Sequence, residues 1–337
     1  MTDVQSRTEP ADWASDQEVR WCPGCGDYSI LTAMRMLMPE LDVDRENTVF
    51  VSGIGCAARF PYYMNTYGMH GIHGRAPAIA TGLALARPDL DIWVIGGDGD
   101  MLSIGGNHLM HAMRRNVNIK VLLFNNMIYG LTKGQFSPTS EVGKVTKSSP
   151  MGSLDQPFNP ISVALGTEAT FVARTHDMDR KHMIETFRRA HAHKGAAFVE
   201  VFQNCNVFND GAWEGITKKQ NRDANLIDLA DGQPIRFGAD NEHGVMVDDG
   251  VAKLVNVADV GEDALLVHNE AKDDPSTAFM LSRLSRGPFE PTPIGVFRCV
   301  ERTEYAQATT QQLAVAHEQQ GAGDIGELLR SRGTWTV

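Results

Sequence analysis

Two short apolar runs, Ile92–Ile95 and Ile119–Phe124, end in residues that strand interiors avoid. Gly96-Gly97-Asp98-Gly99-Asp100 follows the first, and Asn125-Asn126 ends the second. Between them, Ser103–Arg115 carries Leu109, Met110 and Met113 on one face of a predicted helix. Strand, helix, strand over so short a span implies two parallel strands with the helix crossing over one face. The pattern recurs. Thr48–Val51 ends in Ser52-Gly53-Ile54-Gly55, Ala76–Ala86 is an Ala-rich helix stopped by Pro88, and Thr170–Ala173, Asp179–His193 and Ala197–Phe202 repeat strand, helix, strand. The expected fold is therefore α/β, a parallel sheet flanked by helices. Ligands in such sheets sit at the carboxyl ends of the strands, where the glycine-rich segments fall.

The 337 residues, 42% of them hydrophobic, are enough for a sizeable core. Residues 1–20 read as an arm, 21–229 as the main domain and 230–337 as an irregular extension with breakers at Gly287-Pro288, Pro291 and Pro293. Residues 134–160, rich in Gly, Ser, Thr and Pro, read as a long functional loop. The net charge of -11 repels nucleic acid and anionic membranes, so neither is expected as a partner. Met1–Arg20 is polar and acidic rather than signal-like, and no apolar run is long enough to span a bilayer. A cytoplasmic location is expected. The five cysteines are then read as ligands, catalysts or core fillers before disulfides.

The strand-helix-strand unit brings Asp98 and Asn126 to neighbouring strand ends. A hard divalent cation such as Mg²⁺ takes oxygen donors, which a carboxylate, an amide and a backbone carbonyl near Ile128 would supply, with phosphate oxygens completing the shell. The glycines admit a diphosphate close to the backbone, and a helix starting near Ser103 would point amides at it. Either half alone is ordinary turn chemistry; the pair at this spacing favours diphosphate and metal.

Trp21-Cys22-Pro23-Gly24-Cys25-Gly26 is a tight Cys-x-x-Cys, Cys56 closes the turn after Thr48–Val51, and Cys205 follows Ala197–Phe202. Four thiolates can carry a [4Fe–4S] cluster. Structural zinc normally uses two knuckles, and only one is present; a redox dithiol would need Cys22 and Cys25 alone. Spacing leaves these readings open. Cys299, in the strand-like Ile294–Val300, reads as a buried core residue.

WCPGCG, SGIGC, HGIHGRA, GDGD, NNMIYGLTKGQFSPT and the late NC, in this order over residues 21 to about 210, resemble the β subunit of the 2-oxoacid:ferredoxin oxidoreductases. TKGQFSPTS is most similar to the 2-oxoglutarate branch. The resemblance implies a thiamine-diphosphate-binding fold in which Cys22, Cys25, Cys56 and Cys205 ligate one [4Fe–4S] cluster. Asp98, Asn126 and the Ile128 carbonyl would hold Mg²⁺. Ile54, Gly55, Cys56, Ala57, His73, Gly99, Asp100, Gly130 and Leu131 would line thiamine diphosphate. His73 alone would read as a helix cap or core partner; the resemblance puts it near the diphosphate. Arg59 and Lys133 are candidates for the distal carboxylate of the substrate.

The implied reaction is coenzyme A-dependent oxidative decarboxylation of a 2-oxoacid, or the reverse carboxylation, with electrons leaving for ferredoxin. No motif supplies the carboxylate that activates the aminopyrimidine ring, so an α subunit is implied as partner. Rival readings are a member specific for pyruvate or another 2-oxoacid, a non-oxidative thiamine enzyme with structural zinc, and a non-catalytic subunit.

Overall fold

The computed structural model describes residues 8–284 and 290–335. Its frame is an eight-stranded sheet in the order β2-β1-β3-β4-β6-β5-β11-β7. The strands are β1 (Thr48–Ser52), β2 (Tyr67–His70), β3 (Asp91–Gly97), β4 (Lys120–Asn125), β5 (Phe171–His176), β6 (Ala197–Phe202), β7 (Leu226–Leu229) and β11 (Thr292–Cys299). A second, antiparallel sheet holds β8 (Arg236–Phe237), β9 (His243–Asp248) and β10 (Val251–Asn256). β1 to β6 pair in parallel; β11 runs antiparallel to β5 and parallel to β7.

β1, β4, β5 and β6 are buried along their whole length, which is why they read as apolar runs rather than alternating ones. In β3, Ile92 and Val94 face a core shared with α2 (Ala76–Ala86), α4 (Gly106–Arg114) and α5 (Pro160–Gly166). Trp93 and Ile95 face the opposite core, under α1 (Asp27–Leu37) and α6 (Arg180–Ala192). Asp179 caps α6 by accepting from the His182 amide, so the helix starts one residue after the polar cap.

Four expectations change. The single helix over Ser103–Arg115 is instead α3 (Asp98–Leu102) and α4, separated at Ser103 to Gly105. The break brings Gly105 against Gly74, which has φ +73°; a Cβ on Gly105 would lie 2.4 Å from the Asp100 carbonyl and 3.0 Å from Gly74 Cα. β2 escaped notice because all four of its residues are exposed and leave no burial pattern.

Residues 230–337 are not simply irregular, because β11 lies inside the main sheet, buried from Thr292 to Arg298. The strand-like run Ile294–Val300 is this strand, but nothing in its pattern announces that it joins the main sheet between β5 and β7. Gly287-Pro288 lies outside the described residues. Residues 8–20 are not a free arm: Trp13 is fully buried, and its carbonyl accepts from the Asn65 amide at 2.9 Å. Cys299 is only half-buried, packed against the edge of the core with Arg189 and Glu270 beside it. Among the described residues, no helix is long and apolar enough to cross a membrane.

Candidate active site

A cavity of about 580 Å³ opens at the carboxyl ends of β1, β3 and β4, a size suited to a small-molecule ligand. Its wall brings together Ile54, Gly55, Cys56, Ala57, His73, Gly99, Asp100, Gly130 and Leu131, and also Asp98, Asn126 and Ile128. Tyr129, Thr132, Gln135 and Phe136 line it too, and sequence reasoning did not single them out. One signal for Tyr129 was available in Gly99. A Cβ there would sit 2.1 Å from the Tyr129 ring, whose hydroxyl donates to the Gly99 carbonyl at 3.0 Å. Arg59 and Lys133 are not part of this wall. The Arg59 Nε donates to the Tyr63 hydroxyl at 3.2 Å, and Lys133 is exposed with φ +76°.

Asp98 is buried at the end of β3, and its Oδ2 accepts from the hydroxyls of Ser137 and Thr139, both at 2.5 Å. Both donors come from the long loop after β4. Burial pushes the Asp98 carboxyl up to about 6, and the hydroxyls pull against that rise. Asn126 donates through Nδ2 to Gln203 Oε1 at 2.8 Å, and its Oδ1 accepts from the Ile128 amide at 3.2 Å, keeping a further lone pair. A desolvated carboxylate, an amide oxygen and a carbonyl-bearing turn on one wall are oxygen donors of the kind Mg²⁺ takes. The amides expected from a helix at Ser103 are not there, because that helix starts at Gly106.

Asp100 ties three segments together. Its Oδ1 accepts from His73 Nδ1 at 2.7 Å, the Gly74 amide at 2.7 Å and the Ile54 amide at 3.2 Å. A carboxylate only accepts, so the His73 hydrogen sits on Nδ1. Gly53 makes room for this carboxylate, since a Cβ would fall 2.1 Å from Oδ2.

The cysteines come from the loop before α1, the turn after β1 and the segment after β6. Cys56 and Cys205 flank Gly130, whose ideal Cβ position is 3.6 Å and 3.5 Å from their sulfurs. The Cys25 sulfur accepts from Gln203 Nε2 at 3.4 Å, and Cys22 is exposed. Burial pushes the Cys25 and Cys56 thiols up, Cys56 to about 12, and the nearby Asp27 charge pushes further. Such thiols ionise at neutral pH only where a cation compensates them.

Among the described residues, no three His, Cys, Asp or Glu side chains are grouped tightly enough to hold a metal ion. Behind the thiols, fully buried Asp27 is pushed up to about 7 by burial and then by Asp177, which burial itself pushes up to about 6. No spacing rule in the sequence marked either carboxylate.

Residues 53–201 match the family of the thiamine pyrophosphate enzyme C-terminal TPP-binding domain. The chain is 56% identical over 328 residues to the 2-oxoglutarate oxidoreductase subunit KorB of Mycobacterium tuberculosis, covering 97% of this chain and 88% of that protein. It is 48% identical over 190 residues to the β subunit of 2-oxoacid:ferredoxin oxidoreductase 1 of Aeropyrum pernix, 56% of this chain and 60% of that one. A solved structure of the 2-oxoglutarate:ferredoxin oxidoreductase from Magnetococcus marinus, with 2-oxoglutarate, coenzyme A and succinyl-CoA bound, superposes with a TM-score of 0.76 at 31% identity over 98% of each chain. A near-full-length relative at this identity, on a sheet whose carboxyl rim carries the Gly-Asp-Gly-Asp, Asn-Asn and cysteine segments together, means that the chain belongs to the β subunits of the 2-oxoacid:ferredoxin oxidoreductases.

Proposed function

We propose that this β subunit works with an α subunit as a 2-oxoglutarate:ferredoxin oxidoreductase, interconverting 2-oxoglutarate, coenzyme A and oxidised ferredoxin with succinyl-CoA, CO₂ and reduced ferredoxin. The observation that carries the reading is Cys56. It stands in the wall of the same cavity as Asp98, Asn126 and Ile128, and also beside Cys205. The wall that carries the oxygen donors for a diphosphate-bound cation thus also carries one member of the thiol set for a cluster.

When bound, thiamine diphosphate supplies the carbanion chemistry that releases CO₂ from the 2-oxoacid. Asp98, Asn126 and the Ile128 carbonyl would hold Mg²⁺ and through it the diphosphate. Cys22, Cys25, Cys56 and Cys205 would hold a [4Fe–4S] cluster. Asp100 keeps the His73 hydrogen on Nδ1, so that in neutral His73 the other ring nitrogen is an acceptor. The α subunit would bring the carboxylate that activates the aminopyrimidine ring. Arg59 and Lys133 remain candidates for the substrate's distal carboxylate.

The experiment is anaerobic purification of the co-expressed complex with metal and cofactor analysis. The expected result is about four irons per β chain, stoichiometric thiamine diphosphate, and ferredoxin reduction that needs both 2-oxoglutarate and coenzyme A. The β chain alone should be inactive. Stoichiometric zinc with negligible iron would end the cluster reading, and turnover by the isolated chain would end the division of labour.

A further inference from the structure

A line of buried polar groups crosses the sheet toward Asp98. It starts on β11, where the Pro293 carbonyl accepts from Arg174 Nη1 at 3.1 Å. Arg174, on β5, is 3% exposed; its guanidinium lies 4.9 Å from the Phe202 ring centroid and 5.5 Å from that of Phe297. Its Nε donates to Glu200 Oε2 on β6 at 2.7 Å, and Glu200 is fully buried. The other oxygen, Glu200 Oε1, accepts from Asn125 Nδ2 on β4 at 2.7 Å. Asn125 Oδ1 in turn faces the Met127 amide at 3.2 Å and the Thr139 hydroxyl at 2.9 Å, and that hydroxyl also reaches Asp98.

Neither charge in this line touches the 580 Å³ cavity. A buried ion pair is a poor device for stability, since desolvation offsets most of the attraction. Its geometry suits another task. Glu200 accepts only, so it fixes which end of the Asn125 amide points at it. That leaves Oδ1 to receive Met127 and shape the turn that carries Asn126 and Ile128. Thr139 has one hydroxyl hydrogen and two acceptors. A charged carboxylate forms the stronger bond, so an ionised Asp98 takes that hydrogen, and Ser137 adds a second donor to the same oxygen. One oxygen of Asp98 is thereby pinned by the loop.

We infer that Glu200, oriented by Arg174, is a positioning residue for the cation site, acting through Asn125 on the Asn125–Ile128 turn. The inference rests on the proposed reading of this site as the holder of Mg²⁺ and thiamine diphosphate. Removing the acceptor at Glu200 lets the amide of Asn125 rotate and the turn relax. Partners of this indirect kind typically change metal affinity by about 10–100-fold.

The test is calorimetric titration of the αβ complex, stripped of cation, with Mg²⁺ in saturating thiamine diphosphate. Wild type is compared with Glu200→Gln, Arg174→Met/Glu200→Leu and Arg298→Met. Arg298 is a control: equally buried, bonded to the Ala169 carbonyl and to Glu168, and away from the cavity. Glu200→Gln and the double variant should each weaken Mg²⁺ binding at least tenfold. Arg298→Met should leave it unchanged.

Glu200→Gln leaves Arg174 short of its charge partner and risks poor folding. Arg174→Met/Glu200→Leu removes both charges together, a replacement that buried pairs usually tolerate, and decides the matter in that case. Wild-type affinity in the folded double variant, or equal weakening in Arg298→Met, overturns the positioning role. A wild-type complex that binds no Mg²⁺ overturns the underlying reading as well, so the two failures are distinguishable.

Discussion

The cation side and the cysteine side of the cavity differ in how far their own side chains hold them in place. On the cation side, Asp98 is gripped by two hydroxyls, Asn126 by Gln203 and the Ile128 amide, and Asn125 by Glu200. On the cysteine side, Gln203 Nε2 reaches one sulfur, Cys22 is exposed, and among the described residues buried Asp27 has no partner beyond the Cys25 thiol beside it. The first side can form from protein groups alone. The second crowds thiols and carboxylates that repel one another when charged, and a bound cationic centre is what would reconcile them. Loss of a ligand should therefore be local on one side and disruptive on the other.

The largest effect should come from Cys56→Ser or Cys205→Ser. Iron content should fall to near zero and the melting temperature should drop with it, read by metal analysis and differential scanning calorimetry. A variant that keeps full iron would break the contrast. Next is Asp98→Ala, which should abolish Mg²⁺ and thiamine diphosphate binding while iron and melting temperature stay near wild type. Unchanged cofactor affinity would remove Asp98 from the cation site.

A third expectation concerns pH. The Asp98 carboxyl is raised from its ordinary value near 4 to about 6, so the fold favours its neutral form. Without the cation, this group's contribution to stability is present below about pH 4 and is lost as pH rises through about 6. Mg²⁺ needs the ionised form. Its affinity should hold at pH 7.5 and fall toward tenfold per unit below about 6, seen by titrating the complex across that range. An affinity flat from pH 7.5 to 5 would place the cation elsewhere. The smallest effect is expected for Arg59→Ala and Lys133→Ala. Because neither side chain lines the cavity, each should change the preference for 2-oxoglutarate over pyruvate by only a few-fold in kcat/KM. A tenfold change would bring that side chain to the substrate.

The central strands were legible because burial on both faces wrote them as apolar runs closed by glycine or asparagine. The cavity-wall residues were legible because strand ends at neighbouring positions must share a rim. Three things were not. β11 read as strand-like, but its place in the main sheet was not legible, because its partners β5 and β7 lie far from it in sequence. The split between α3 and α4 depends on the close approach of Gly74 and Gly105, segments far apart in sequence. Glu200 and Arg174 read as ordinary charged residues in apolar strands, and only the pairing of β5 with β6 shows that they satisfy each other.

The place of β11 also governs how the chain can fold as it is made. β5 finds β6 soon after it emerges, but its other edge stays open until Thr292–Cys299 has been synthesised, and β7 has no partner in the main sheet before then. For that interval a nascent chain exposes the edge of a finished apolar strand, a template for pairing with the wrong chain. Ribosome-bound chains stopped short of residue 292 should be protease-sensitive around β7 and prone to self-association, whereas chains released after residue 299 should not.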